Sequence, residues 1–423
     1  MPRPSSAVFA LKDFRRWLLL ALIGLLAAGC AQPTPPRTIA PRRTAASLGP
    51  TDLPTPTANR LPVGTAPPAA TLAPIPTVSP GEHLRGLVTA ASTFIVYSDF
   101  DCLRCAQLAG MLSELQYRHP QDLRLVFRLF PQLEQSSKSS LAGQLAELAA
   151  EQDAFWPMHD RLFARYAEWS ALSAEEFLTW AVSQADELGL DTPAVHVGLN
   201  SGSHAEEMEQ AFRQGLAMGI PGPPFLLLDG EPHLLPYSPN YLEAAVRLSA
   251  LRERQFDEYP ALTIDGDATY LARLELDVGE LLLQLYPQYA PLAVNSFVFL
   301  AGQGWFDGTP VYQVRPGVFV EAGDPTGTGL GDPGYHLGME PSPALRFDRP
   351  GVVALVPTSP ETNGARFFIS LSPLPELDGA RTIFGRVLQG MELLQSLPER
   401  DPLRDLLAPP PAVLQRVLIE VQG

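Results

Sequence analysis

The chain has 423 residues, 46% of them hydrophobic and 18% charged, which is enough for two or three domains and too apolar for a chain without cores. Net charge is −16, and residues 1–30 and 31–80 carry +3 each, leaving −22 from Gly81 onward. Such an acidic surface repels phosphate backbones and excludes nucleic-acid binding as a main role, while three cysteines cannot build a disulfide framework.

Residues 1–30 open with Arg3, Lys12, Arg15 and Arg16, continue through an apolar run from Trp17 to Ala28, and end at Gly29-Cys30. Twelve apolar residues are too few to span a bilayer comfortably, so the pattern reads as an export signal. Its end, Leu26-Ala27-Ala28-Gly29-Cys30, resembles the lipobox of bacterial lipoproteins. That resemblance implies lipidation of Cys30 and an exported chain anchored on the extracytoplasmic side of a membrane. An ordinary signal peptide ending near a cysteine is the alternative, and Arg15-Arg16 hints at twin-arginine export. Residues 31–80 hold 13 of the 44 prolines and no Phe, Trp or Tyr. They cannot bury enough apolar surface to offset their ordering entropy, so a disordered, semi-extended spacer is predicted.

The first folded region is predicted over 84–250. Thr93-Phe-Ile-Val-Tyr97 has the β-branched and aromatic character of a buried strand. It leads into Ser98-Asp-Phe-Asp-Cys102-Leu-Arg-Cys105 and then into helical periodicity through Leu108, Met111, Leu112 and Leu115. At a strand-to-helix junction Cys102 would face unpaired N–H groups that favour thiolate, with Cys105 one turn further on the same face. Half of a zinc site, or two plain thiols, are the competing readings. A second strand, Leu123–Phe130, is followed by a long helical stretch in which Ser173-Ala-Glu-Glu176 and Ser203-His-Ala-Glu206 both read as capping boxes. A third strand, Phe225–Leu228, follows Gly222-Pro-Pro224.

This order of elements, with Phe155-Trp-Pro-Met-His159-Asp160 and Gly222-Pro-Pro-Phe-Leu-Leu-Leu-Asp-Gly230, resembles the disulfide-oxidoreductase branch of the thioredoxin superfamily. The resemblance implies Cys102 as attacking thiol, Cys105 as resolving thiol and Pro224 as the cis-proline beside them. The position before that proline pairs with bound peptide in the family, and Pro223 has no N–H to donate there.

The second folded region, 265–423, is predicted to be β-rich, with eight short strands and two helices near Pro291–Ala301 and Met391–Leu397, as in a closed barrel. Ala290–Phe297, Gly323–Gly329, Thr362–Ile369 and Leu377–Gly385 together resemble the cyclophilin-type peptidyl-prolyl isomerases. Gly327-Thr-Gly329-Leu-Gly331 would by itself suggest a phosphate loop, but no helix follows it, so it is read as barrel-loop glycine. The fold class is therefore multi-domain: an α/β thioredoxin-like domain with a helical insertion, then a mainly-β cyclophilin-like barrel of eight strands.

The chemistry implied by the second resemblance needs no cofactor and no metal. A pocket holds proline while an arginine donates to the prolyl nitrogen, favouring the twisted state of a bond whose barrier is about 18–20 kcal/mol. The pocket positions fall on Val318, Phe319, Phe368 and Leu377. The catalytic arginine falls on Gln313, its supporting glutamine on Glu321, and the pocket-edge glutamine on Arg366. Arg381 takes the edge-histidine position, Pro357 lies in the backbone stretch that pairs with peptide, and Arg315 shares a strand face with Gln313. The expected function is an envelope folding factor acting on proline-containing or unfolded client proteins, with isomerase activity and a thiol-disulfide site. The alternative is a non-catalytic proline-peptide-binding chaperone or scaffold.

Overall fold

The computed structural model describes residues 77–79, 81–358 and 361–422. The predicted export signal, the Cys30 lipidation site expected from it and most of the predicted spacer lie outside the described residues. No described helix is long and apolar enough to cross a membrane.

The first domain is built on a five-stranded sheet. Strands β1 (His83–Arg85), β2 (Ser92–Ser98), β3 (Leu123–Leu129), β4 (Phe225–Leu228) and β5 (Glu231–Pro232) lie in the order β1-β3-β2-β4-β5. β2 runs parallel to β3 and antiparallel to β4, and every residue of it is buried, which its Phe, Ile, Val and Tyr favour. Helix α1 (Leu103–Arg118) crosses from β2 to β3 and buries Cys105, Leu108, Leu112 and Leu115. The helical insertion comprises α2 (Ser137–Ala150), α3 (Phe155–Ala164), α4 (Tyr166–Trp169), α5 (Ala174–Glu187), α6 (Thr192–Ser201) and α7 (Ala205–Ala217). Helix α8 (Pro239–Leu251) closes the domain against α1. Val78, placed by composition in the spacer, packs on the cluster of Ile95, Tyr97 and Val126.

The second domain is a curled sheet. It comprises β6 (Thr269–Leu276), β7 (Gly279–Leu285), β8 (Thr309–Pro310), β9 (Gln313–Arg315), β10 (Phe319–Ala322), β11 (His336–Gly338), β12 (Val352–Thr358), β13 (Glu361–Ser370), β14 (Ile383–Gln389) and β15 (Val413–Gln422). Helices α9 (Pro291–Gly302) and α10 (Met391–Gln395) pack on it. The strand path runs β8-β15-β6-β7-β14-β12-β13-β10-β9. Its two ends, β8 and β9, are separated only by Val311 and Tyr312, whose N–H groups donate to Ala412 O and Glu321 O, so the sheet closes on itself. Eight strands were expected and ten short ones form. Of the predicted Val311–Arg315 strand only Gln313–Arg315 forms β9, and the two additional strands, β8 and β11, are two and three residues long, too short to show a period. The inward side chains of alternate positions, among them Leu274, Leu283, Val314, Val320, Phe367 and Phe384, join Phe297 and Phe306 in one core.

The segment between the domains is packed rather than free. Leu251 enters the barrel core, Phe256 sits beside Phe299 and Trp305, and the Phe256 N–H donates to Pro333 O. Arg247 on α8 donates to Thr326 O at 3.1 Å.

Candidate active site

The barrel's outer face is assembled by strand register. Glu321 on β10 lies directly opposite Gln313 on β9 and Phe368 on β13, while Phe319 lies opposite Arg315 and Ser370. Because side chains alternate, these residues share one face, and Val314, Val320, Phe367 and Ile369 turn inward. Gly323, at φ +95°, allows the chain to leave β10 beside β13, since a Cβ there would sit 2.3 Å from Ala365 O.

Three of the four predicted pocket residues come together. Phe319, Phe368 and Leu377 belong to one apolar cluster outside the barrel core, with Phe347 and Ile383. The Phe319 and Phe368 rings meet edge to face at 6.1 Å, and Phe347 stacks on Phe368 at 5.7 Å. Val318 does not join them; it is 38% exposed in the turn between β9 and β10.

The polar side of this face is a charged group gathered around Glu321. The buried Tyr312 hydroxyl donates to Glu321 Oε2 at 2.9 Å. Burial raises the Glu321 pKa, against that hydrogen bond and the charges of Arg366 and Arg315. Arg366 donates through Nη1 to Gly329 O, and its Nε is buried with no partner among the described residues. Arg315 makes no ion pair with Glu321 among the described residues; its guanidinium lies 5.4 Å over the Phe319 ring. Gln313 is half-buried with no side-chain hydrogen bond to a described residue, so its amide is free to donate to a ligand. Arg381 turns to its neighbour and donates to Ala380 O at 2.7 Å. The β12–β13 ladder slips register between Leu355 and Pro357, where proline supplies no N–H. The glycine-rich loop binds its own carboxylate. Asp324 accepts from the Gly329 and Gly331 N–H groups at 2.8 and 3.0 Å, and from Thr326 and Thr328, so those donors are spent internally.

The thiol pair lies where the strand-to-helix junction was predicted. Cys102 and Cys105 form a disulfide with Cα atoms 5.2 Å apart. Cys102 is the N-cap of α1, its sulfur accepting from the Cys105 N–H at 3.1 Å. Cys102 is half-buried and Cys105 is 1% exposed. The loop before them is tied down by Asp99, which accepts from the Asp101 and Gln132 N–H groups and from Ser139 Oγ. Burial raises the Asp99 pKa despite these bonds. The Pro223–Pro224 peptide is cis, and the pairing of Tyr97 with Phe225 brings Pro224 to the end of β2 from which the Cys102 loop leaves. No group of three or more His, Cys, Asp or Glu suited to a metal ion occurs among the described residues.

A family model for cyclophilin-type peptidyl-prolyl cis-trans isomerases matches residues 271–411, and a thioredoxin model matches 78–247. Peptidyl-prolyl cis-trans isomerase-like 1 of Gibberella zeae is 39% identical over 127 residues, which cover 29% of this chain and 78% of that protein. The chain belongs to the cyclophilin-type isomerase family. The Homo sapiens protein of the same name is 39% identical over 124 residues, covering 29% of this chain and 75% of its own. A crystal structure of a Cryptosporidium parvum cyclophilin-type isomerase aligns with 37% of this chain and 99% of its own, at 28% identity and a TM-score of 0.33.

Within this cyclophilin-type barrel, two participants escaped the sequence reading. Tyr312 was passed over because alternation assigns it to the opposite face from Gln313, yet its hydroxyl reaches Glu321. Phe347 lies in an irregular loop where no periodicity marks it, and only the fold stacks it on Phe368.

Proposed function

We propose that the chain is a membrane-tethered folding factor of the cell envelope whose barrel isomerises prolyl bonds at a reduced rate. Its Cys102–Cys105 pair exchanges thiols with client proteins. One observation carries the isomerase reading: Phe319, Phe368 and Leu377 form an apolar floor on the same sheet face as the unpartnered Gln313 amide. Proline rests on the floor, and the amide donates to the prolyl nitrogen as it pyramidalises, lowering the barrier without a covalent step. A neutral donor is weaker than a guanidinium, hence the reduced rate. The envelope location is supported by the Trp17–Ala28 run, the Leu26–Cys30 pattern and the proline-rich spacer.

A second reading, a proline-peptide binder without turnover, is favoured by Gln313 standing opposite the Glu321 carboxyl and by the missing donor at Pro357. The deciding experiment is turnover of a short X-Pro peptide by the full chain, before and after reduction. Accelerated isomerisation blocked by excess proline peptide supports the enzyme. Saturable peptide binding with no acceleration selects the binder.

A further inference from the structure

The buried half of the thiol pair has a neighbour that neither resemblance assigns. Cys105 and His159 line one internal cavity of about 20 Å³, together with Val96, Ser98, Ser113 and Phe127. A water needs roughly 10–15 Å³, so the cavity that Cys105 and His159 share has room for one, with Ser98 and Ser113 on its wall as further polar groups. Of the side chains lining the cavity, only Arg85, Cys105 and His159 exchange protons, and a guanidinium stays charged. His159 is thus the acceptor available to Cys105 on this wall.

The imidazole is set up to accept. Its Nδ1 lies 2.9 Å from Asp160 Oδ1, and Asp160 Oδ2 takes a 2.6 Å hydrogen bond from Arg85 on β1. Burial would raise the Asp160 pKa, but bonds from His159 and Arg85 lower it, so Asp160 is ionised and fixes the Nδ1–H tautomer. The lone pair is left on Nε2. The ring stands edge to face with Phe127 and Trp156 at 4.8 Å each and with Phe163 at 4.9 Å, and is 5% exposed. Burial lowers its pKa, opposed by Asp160, so the ring is neutral and basic at pH 7. The charged or titratable groups facing it are Asp160 on α3, Arg85 and His83 on β1, with His83 held by Glu147 on α2, and Cys105 on α1.

We propose that His159 is the proton acceptor for Cys105 when that thiol resolves a mixed disulfide on Cys102; this rests on the redox reading of the pair. The reduced Cys102 thiolate attacks one sulfur of a client disulfide and expels the first client thiolate. The Cys105 thiol then passes its proton through the cavity to Nε2 of His159, and its sulfur attacks Cys102 Sγ. The client–Cys102 bond breaks, the second client thiolate leaves, and the Cys102–Cys105 bond forms. Two protein thiols are oxidised, one client disulfide is reduced to two thiols, and His159 releases its proton to solvent. In reverse, the imidazolium protonates Cys105 as it leaves. A buried thiol in apolar surroundings resists ionisation, and a base within reach removes that obstacle.

Reaction of the reduced full chain with a nitrobenzoate disulfide reagent tests this, because coloured thiolate is released once when Cys102 attacks and again when Cys105 resolves. With His159→Gln, the second release should slow relative to the first by about 100-fold, the scale of general base catalysis. In the unmodified chain the second rate should plateau above the acceptor's pKa, which lies below the ordinary histidine value. In the variant it should climb with pH into the free-thiol range near 8.5. Asp160→Asn, a more exposed change, should give a smaller slowing of the same step, which guards against a folding failure of His159→Gln. Two releases whose ratio and pH profile are unchanged in both variants overturn the assignment and leave the redox reading standing. A reduced chain that releases no thiolate at all overturns both.

Discussion

The two domains concentrate their chemistry in different ways. In the thioredoxin-like domain the helix cap and both disulfide sulfurs lie within one helical turn, from Cys102 to Cys105. In the barrel, Gln313, Glu321 and Phe368 come from three strands and meet only because the register is right. The difference shows in how the barrel residues are held. Phe319 and Phe368 are held by packing in one apolar cluster, whereas the half-buried Gln313 makes no side-chain hydrogen bond among the described residues. In such a non-local site the apolar members are fixed by packing and the polar ones by strand register.

The strongest way to break the comparison is to remove the packing. Phe368→Ala deletes a ring that is 5% exposed, stacked on Phe347 and set edge to face with Phe319. Such truncations cost about 3–5 kcal/mol. Urea unfolding of the barrel should shift by that amount, and proline-peptide binding should vanish, with Cys102 labelling unaltered. A folded variant that still binds peptide would place the pocket elsewhere.

A buried carboxylate between α1 and α8 of the first domain gives the next largest effect. Glu243 on α8 accepts from Arg118 Nη1, His119 Nε2 and Arg247 Nε at 2.5, 2.9 and 2.8 Å. Burial alone would raise its pKa, but the bonds from His119 and Arg247 and their charge lower it to about 2. A carboxyl lowered on folding adds stability that is complete above its unfolded pKa, about 4.3, and is lost as pH falls toward 2. That contribution is on the order of 2–3 kcal/mol. Acid unfolding followed by circular dichroism should show it in the unmodified chain, and Glu243→Gln should flatten the pH dependence between pH 5 and pH 2 by roughly that amount. An unchanged acid limb would mean that the three basic partners contribute nothing net.

Gln313→Arg sharpens the barrel side. A charged donor contributes about 1.5–3 kcal/mol and a neutral one roughly 0.5–1.5, so turnover should rise about five- to thirty-fold. The gain should be larger with Glu321→Gln, because Glu321 lies directly across the ladder and would otherwise compete for the new guanidinium. If the double variant binds proline peptide and still gives no turnover, the scaffold reading replaces the enzyme.

How much was legible in advance follows the same division. The buried β2, the cap at Cys102 and the inward alternation of β6 and β7 are short-range patterns, and composition carried them. Separated motifs of the family pointed to Phe319, Phe368 and Leu377, which the fold gathers in one apolar cluster, and to Val318, which stays outside it. The Tyr312–Glu321 bond, the Phe347 stack and the Cys105–His159 cavity were not legible, because each joins residues whose meeting depends on tertiary closure. The strand count differs for a related reason: β8 and β11 are two and three residues long and exist only through pairing with β15 and β13.

The smallest effect isolates that lesson in one helical region. Ser173-Ala-Glu-Glu176 and Ser203-His-Ala-Glu206 look alike in sequence, and only the first is a capping box. The Ser173 hydroxyl accepts from the Glu176 N–H at 3.3 Å and Glu176 Oε2 accepts from the Ser173 N–H at 2.8 Å, which satisfies two donors at the start of α5. At α7 the cap falls on His204 instead. Its ring is held between Glu207 and Glu151 at 2.8 and 3.2 Å, and no side chain caps the helix. The preceding helix decides this. Its C-cap Gly202 at φ +67° and the Ser203 N–H donating to Gly198 O spend Ser203 on ending α6 rather than on starting α7. Ser173→Ala should therefore cost about 1 kcal/mol, seen as faster amide exchange in the first turn of α5, and Ser203→Ala should cost a few tenths at most. Equal costs at both serines would show that the two boxes form alike in solution.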